Sequence, residues 1–252
     1  MDQFALRPLS TGEVLDVAFS LYRRRFATLA LVALVSQAAA VVFSIYLQSA
    51  GGMLQHPVLW VIGAVLSSVC TAIGMGASTK VIADTYLNRA TTAPEALRWI
   101  VPYLGRIITA SLAFSLAVFL GMLLLVIPGI IVGTGLALSA CALVVEGLTP
   151  MDALNRSWNL TKGSRWKVFL TLLVAMVLIY IVGFGATVIG GLVGAVLGGN
   201  LETAVIAIAA IMGIMSILIY PYIYAAVTVL YYDLRVRKEG FDLEVMESQL
   251  SA

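Results

Sequence analysis

The sequence predicts an all-α integral membrane protein: six transmembrane helices arranged as three hairpins, each preceded by a cytoplasmic interfacial amphipathic helix. Three observations predict it. First, 61% of the 252 residues are hydrophobic and only 11% are charged. A soluble domain carries about a quarter charged residues, and a single core of this size would still need a wide polar surface. Second, the apolar residues gather into runs long enough to cross a bilayer. Third, a short polar signature recurs ahead of every odd-numbered run.

The chain opens with 25 mixed residues, including Arg23, Arg24 and Arg25, which do not read as a cleavable signal. Span 1 follows over 26–47 and span 2 over 57–79, each long enough for the hydrocarbon core. From Ile107 to Val145 there are 39 uncharged residues, too many for one crossing. Pro128-Gly129 is expected to divide them into spans over 107–127 and 130–145, because proline lacks an amide hydrogen and glycine tolerates a turn. Spans 5 and 6 occupy 168–197 and 203–232, separated by GGNLE.

All fifteen Lys and Arg residues fall on one side of this topology. The three opposite connections, near 48–56, 128–129 and 198–202, contain none. The positive-inside rule then places both termini and both long loops on the cytoplasmic side of the membrane.

The recurring signature reads Ser10-x-x-Glu13, Thr92-x-x-Glu95 and Thr149-x-x-Asp152, with Leu15, Leu97 and Leu154 two residues beyond each acid. This is a capping box, in which the hydroxyl accepts from the third helical amide and the acid reaches back to the cap. The shorter Asp152 reaches the cap backbone less readily than a glutamate would, though its charge suits a helix N-terminus. Each cap opens an amphipathic helix. Leu15, Ala18, Phe19 and Tyr22 share one face of the first, Leu97, Ile100, Val101 and Leu104 one face of the second, and Met151, Leu154 and Trp158 one face of the third. Pro102 should bend or end the second early. Asp152–Arg156 and Glu95–Arg98 are spaced as ion pairs on the polar faces. Such helices should lie in the headgroup layer with arginines near anionic phosphate. The chain is thus one polytopic domain over 1–252, with pseudo-repeat units about 8–83, 91–146 and 148–233 and a cytoplasmic tail over 234–252.

Few chemistries survive this composition. His56 is the only histidine, so a histidine pair, a metal cage or a Ser–His relay is absent. Cys70 and Cys141 sit inside apolar runs and read as small packing residues. No phosphate-binding loop or nucleophile elbow is present. We therefore expect no catalytic, metal or cofactor site, and the dispersed basic residues point to no nucleic acid.

The remaining candidates are polar residues at the basic side. Arg23 and Arg24 follow the first interfacial helix, and Lys80 and Asp84 sit one turn apart, where lysine can snorkel and pair locally. Glu146 ends a fourth span of only 16 residues after Gly129, about 24 Å long. It reads either as a functional intramembrane carboxylate or, preferably, as a helix-end acid paired with an arginine. Asp152, Asn155, Arg156 and Asn159 form the polar face of the third interfacial helix, and Asp233 and Arg237 close span 6. Gly190, Gly194 and Gly198 form a ridge for close helix packing, read as intramolecular, and Pro221 is a candidate hinge. Tyr220, Tyr222, Tyr224, Tyr231 and Tyr232 suit an aromatic belt, with a lipid headgroup groove as the other reading.

Four segments carry a family resemblance: RPLSTGEVLDVAFSLYRRRF (7–26), VIPGIIV (126–132), EGLTPMDALNRSWNLTKGSRWKVF (146–169) and LYYDLRVRKEGFDLE (230–244). Together they resemble the bacterial membrane domain of glycerophosphoryl diester phosphodiesterase. In members that give the family its name, this region is fused to a barrel-shaped enzyme. Nothing outside the six spans is long enough for such a barrel, so the family's catalytic acids, histidines and metal have no positions here. The expected function is a non-enzymatic membrane module that engages anionic lipid headgroups, or a membrane-protein partner, at the cytoplasmic face. A transporter, channel or lipid-translocating protein is the alternative.

Overall fold

A computed structural model describes residues 7–51, 55–87, 89–197 and 199–241. Among these residues every regular element is helical. Six helices are long and apolar enough to cross a membrane. Large apolar side chains along them stand bare: Leu123, Leu124 and Val196 are 72%, 76% and 87% exposed. Water would not tolerate so broad an apolar surface, which marks a lipid-facing protein.

Helix α1 (Thr11–Arg24) is separated from α2 (Phe26–Ser49) by Arg25 alone. Helix α3 (Pro57–Tyr86) runs seven residues past the expected end of span 2. Helix α4 (Ala93–Ile100) gives way at Pro102 to a single 3₁₀ turn, and α5 (Leu104–Leu124) follows, as expected of proline's missing amide. After α6 (Val126–Leu136) and α7 (Ser139–Glu146) come α8 (Pro150–Thr161), α9 (Arg165–Leu197) and α10 (Leu201–Glu239).

Two expectations need correction. The division of the long apolar run falls at Leu125, whose extended backbone ends α5 and caps α6, not at Pro128-Gly129. Pro128 lies instead in the first turn of α6, where a missing N–H removes no intrahelical bond. The fourth span is therefore 126–146 rather than 130–145, and it is interrupted at Ala137 and Leu138. Residues 234–239 of the expected cytoplasmic tail are helical, continuing α10 without a break. Residues 242–252 of that tail, and Gly198 of the glycine ridge, lie outside the described residues.

The caps form as their chemistry dictates. Ser10 Oγ accepts from the Glu13 amide at 3.3 Å while Glu13 accepts from the Ser10 amide at 2.7 Å. Glu95 accepts from the Thr92 amide at 2.9 Å, completing the second box. At the third, Thr149 accepts from the Asp152 amide but donates its own proton to Asp152. The short aspartate is thus held by the hydroxyl and does not reach the cap backbone.

Helix α10 is the spine, packing on α9, α2, α1 and α3. Against α9 the fit is backbone to backbone: a Cβ added at Gly190 would lie 2.6 Å from Ile208 Cα, and one at Gly194 would strike Ala204. The two glycines thus pack within the chain. The densest core sits at the basic end, where Leu21, Ile82, Ile100, Leu143, Leu160 and Tyr232 are all buried.

Candidate functional site

Four polar constructions occupy this frame, with a cavity apart from them. The first centres on Glu146. Gly147, with φ +68°, ends α7 in the left-handed conformation, which glycine adopts without steric cost. Glu146 is thereby turned toward α8 and α10. Arg156 grips it in a fork: Nε lies 3.0 and 2.9 Å from the two carboxylate oxygens and Nη2 2.8 Å from Oε1. Tyr231 donates its hydroxyl to the same oxygen. The other edge of Arg156 binds Glu239, which also accepts from Arg235 Nε at 3.1 Å. Two carboxylates hold the Arg156 guanidinium, with the Glu239 bond the stronger influence, and its pKa rises above the ordinary arginine value. It stays cationic at every accessible pH.

The second construction clamps the N-terminal segment. Asp233, its side chain fully buried, accepts from the Leu9 amide at 2.6 Å, from Lys167 and from Arg237 Nε at 3.2 Å. Lys167 and Arg237 also donate to the Leu9 carbonyl. One acid and two bases on α9 and α10 thus satisfy both backbone groups of Leu9.

The third joins Lys80 and Asp84. Lys80 Nζ lies 3.0 Å from the Asp84 carboxylate and 5.2 Å above the Trp99 ring, and Thr91 donates to the same acid. This pair fastens the end of α3 to α4.

The interruption of the fourth span is also filled. Ser157 of α8 donates to the Gly135 carbonyl at 2.8 Å and accepts from the Leu138 amide at 3.1 Å. Thr161 donates to Gly135 as well, at 3.1 Å. Trp158 rests on Gly135, where a Cβ would enter its ring, and Arg165 stacks 4.0 Å over that indole. Helix α8 is thus seated in the gap between α6 and α7 by hydroxyls that replace ladder bonds.

The structure brings Glu146 and Arg156 together, and separately Asp233 with Arg237 and Lys80 with Asp84. Asp152 and Arg156 do not pair, and among the described residues neither do Glu95 and Arg98. Capping takes both acids, and the two glutamates capture Arg156. Asn155 and Asn159 are exposed on the outer face of α8, and Arg23 and Arg24 are exposed at the end of α1. Arg235, Glu239, Lys167 and Ser157 were missed by the sequence reading, and Tyr231, read there as part of an aromatic belt, donates to Glu146. Only the i,i+4 spacing of Arg235 with Glu239 was visible there.

The cavity lies away from these networks. It measures about 440 Å³ between α2, α3 and α10, and neither Glu146 nor Lys80 lines it.

These features define a multi-pass, all-helical membrane protein whose basic end is tied by ion pairs. Comparison with protein families goes one step further. The chain belongs to the family described as Domain of unknown function (DUF7847), whose model matches residues 96–236, more than half of the chain. That stretch holds Glu146, Arg156, Tyr231 and Asp233 but not α1 to α3. Neither the curated proteins nor the solved structures yielded a match.

Proposed function

We propose that the chain is a non-enzymatic membrane module of a bacterial inner membrane that holds anionic lipid headgroups at its basic, cytoplasmic face. It is built of three transmembrane hairpins, each entered through an interfacial amphipathic helix, with both termini inside. The resemblance to the membrane domain of glycerophosphoryl diester phosphodiesterase is part of this reading and lends it no phosphodiesterase activity.

The observation that carries it is a division of labour among the cations. Arg156, Lys167, Arg235 and Arg237 are consumed by internal carboxylates. Arg23, Arg24, Arg98 and Arg106 are exposed and have no carboxylate partner among the described residues. Exposed apolar side chains lie close by in the chain: Phe19, at 54%, on α1 with Arg23 and Arg24, and Val101, at 61%, in the turn between Arg98 of α4 and Arg106 of α5. Exposed cations beside exposed apolar side chains are what a headgroup layer engages.

The test is lipid retention. The chain with R23Q, R24Q, R98Q and R106Q, purified from nanodiscs containing phosphatidylglycerol, should keep several-fold less of that lipid than the unaltered chain. N155A and N159A should change nothing. Equal retention by all three proteins would sink the reading.

A further inference from the structure

The cavity between α2, α3 and α10 has no part in the reading of the basic face. Its position is unusual for a polar site. Gln37 sits midway along α2, about 17 Å from either end, yet it is only 7% exposed and lines this cavity. Its side-chain amide lies over Gly74 of α3, where an added Cβ would come 3.6 Å from Nε2. It makes no hydrogen bond to any described residue. In hydrocarbon such an amide is costly to leave unmatched, because no water replaces the missing partner.

Other polar groups converge on it at helical spacing. Ser44 and Gln48 continue the Gln37 face of α2, Ser67 and Thr71 face them from α3, and Ser216 and Tyr220 close the site from α10. Among the described residues the lining holds no Asp, Glu, Lys, Arg or His. A phosphate or an ammonium would find no counter-ion there and would lose its hydration uncompensated. Amides and hydroxyls, by contrast, are suited to an uncharged ligand that both donates and accepts hydrogen bonds.

The rest of the wall is apolar. Val205, Ile208, Ala209 and Met212 form one side. Two smaller cavities share residues with this one. The first, about 130 Å³, runs between α9 and α10 past Met212 and Tyr220; the second, about 220 Å³, leads past Ser44 and Ser67 to Trp60 near the start of α3. Ser44, Gln48, Ser67 and Thr71 are exposed, so the groove opens sideways onto the surface that faces lipid. A volume of about 440 Å³ falls within the roughly 300–1,000 Å³ of small-molecule sites.

We propose that this groove is a binding site for a lipid with an uncharged, hydroxyl-bearing headgroup. The headgroup meets Gln37, Thr71 and Ser216, and an acyl chain lies on the α10 wall. Reconstitution of the full chain in phosphatidylcholine nanodiscs doped with dioleoylglycerol or dioleoylphosphatidylglycerol, followed by counting the bound lipids by native mass spectrometry, tests it.

The unaltered chain should retain dioleoylglycerol. Q37L, which replaces the amide with an apolar group of similar size, should retain it at least tenfold less. T71V, on the exposed wall and outside the packed core, should lower it several-fold without disturbing the fold. Neither variant should alter phosphatidylglycerol retention, and the four-arginine variant should keep its dioleoylglycerol, which separates this site from the basic rim. Equal dioleoylglycerol retention by the unaltered chain, Q37L and T71V overturns the proposal. So does displacement by free glycerol, which would mean a solute site, or a dimer mass lost in Q37L, which would mean a seam between copies.

Discussion

Asp233 shows how much one side chain can hold. It is the only described acid whose side chain is wholly buried, and its three donors come from the N-terminal segment, α9 and α10. Removing one member of a buried charged cluster leaves the others unpaired, which costs about 3–5 kcal/mol. D233A should therefore lower the unfolding temperature in detergent markedly and speed hydrogen exchange at the amides of Leu9 to Glu13. D233N, which can still accept from the Leu9 amide, should do less of both. A local charge behaves differently at Glu13. The Ser10 amide, then Arg7 and the Ser10 hydroxyl, draw its pKa from 4.5 down to about 2. A depressed acid stabilises the folded cap above the unfolded pKa and ceases to do so as pH falls through the folded one. Exchange protection of the first turn of α1 should accordingly be constant above about pH 4.5 and decline toward pH 2. E13Q should abolish that dependence; an unchanged decline in E13Q would place the titrating group elsewhere.

At the scale of the element, the short helices were legible because their signals are local. A hydroxyl and an acid three residues apart can satisfy each other whatever surrounds them, so Ser10 with Glu13 and Thr92 with Glu95 cap as read. The fourth span was not legible, because its break at Ala137 and Leu138 depends on Ser157, 19 residues away in the chain. No periodicity within 126–146 announces an interruption that a distant hydroxyl repairs. Pro128 misled for the converse reason, since proline marks a turn or a helix start equally well. The role of α8 leads to an ordered expectation. S157A strands the Leu138 amide and removes one donor to Gly135, a loss of about 1–3 kcal/mol. T161V removes only the second donor and should cost less. The double variant should lose more than the two together, because each hydroxyl covers for the other at the Gly135 carbonyl. Denaturant or thermal unfolding of the three proteins checks the order, and strict additivity would refute the shared carbonyl.

Across the whole molecule, charge and polarity are segregated. The basic end is tied by ion pairs between elements far apart in sequence, while the polar stripe of Gln37, Ser44 and Gln48 runs from the middle of α2 toward the opposite end. That stripe was present in the sequence at seven- and four-residue spacing. It was overlooked because three uncharged residues hardly dent a hydrophobic run, and only the approach of α3 and α10 shows that they meet Thr71 and Ser216. The six spans were legible for the opposite reason: length and composition are properties of a segment by itself. Orientation is where the proposed function is most exposed, because an inverted chain would present its arginines to the wrong side. His56 and Ala90 are both exposed and lie beyond opposite ends of α3. In a background with buried Cys70 and Cys141 replaced by alanine, H56C should react with a membrane-impermeant maleimide on intact cells. A90C should react only after permeabilisation. The reverse pattern would invert the topology and remove the cytoplasmic lipid site with it. Labelling of both positions on intact cells would mean that α3 does not cross the membrane.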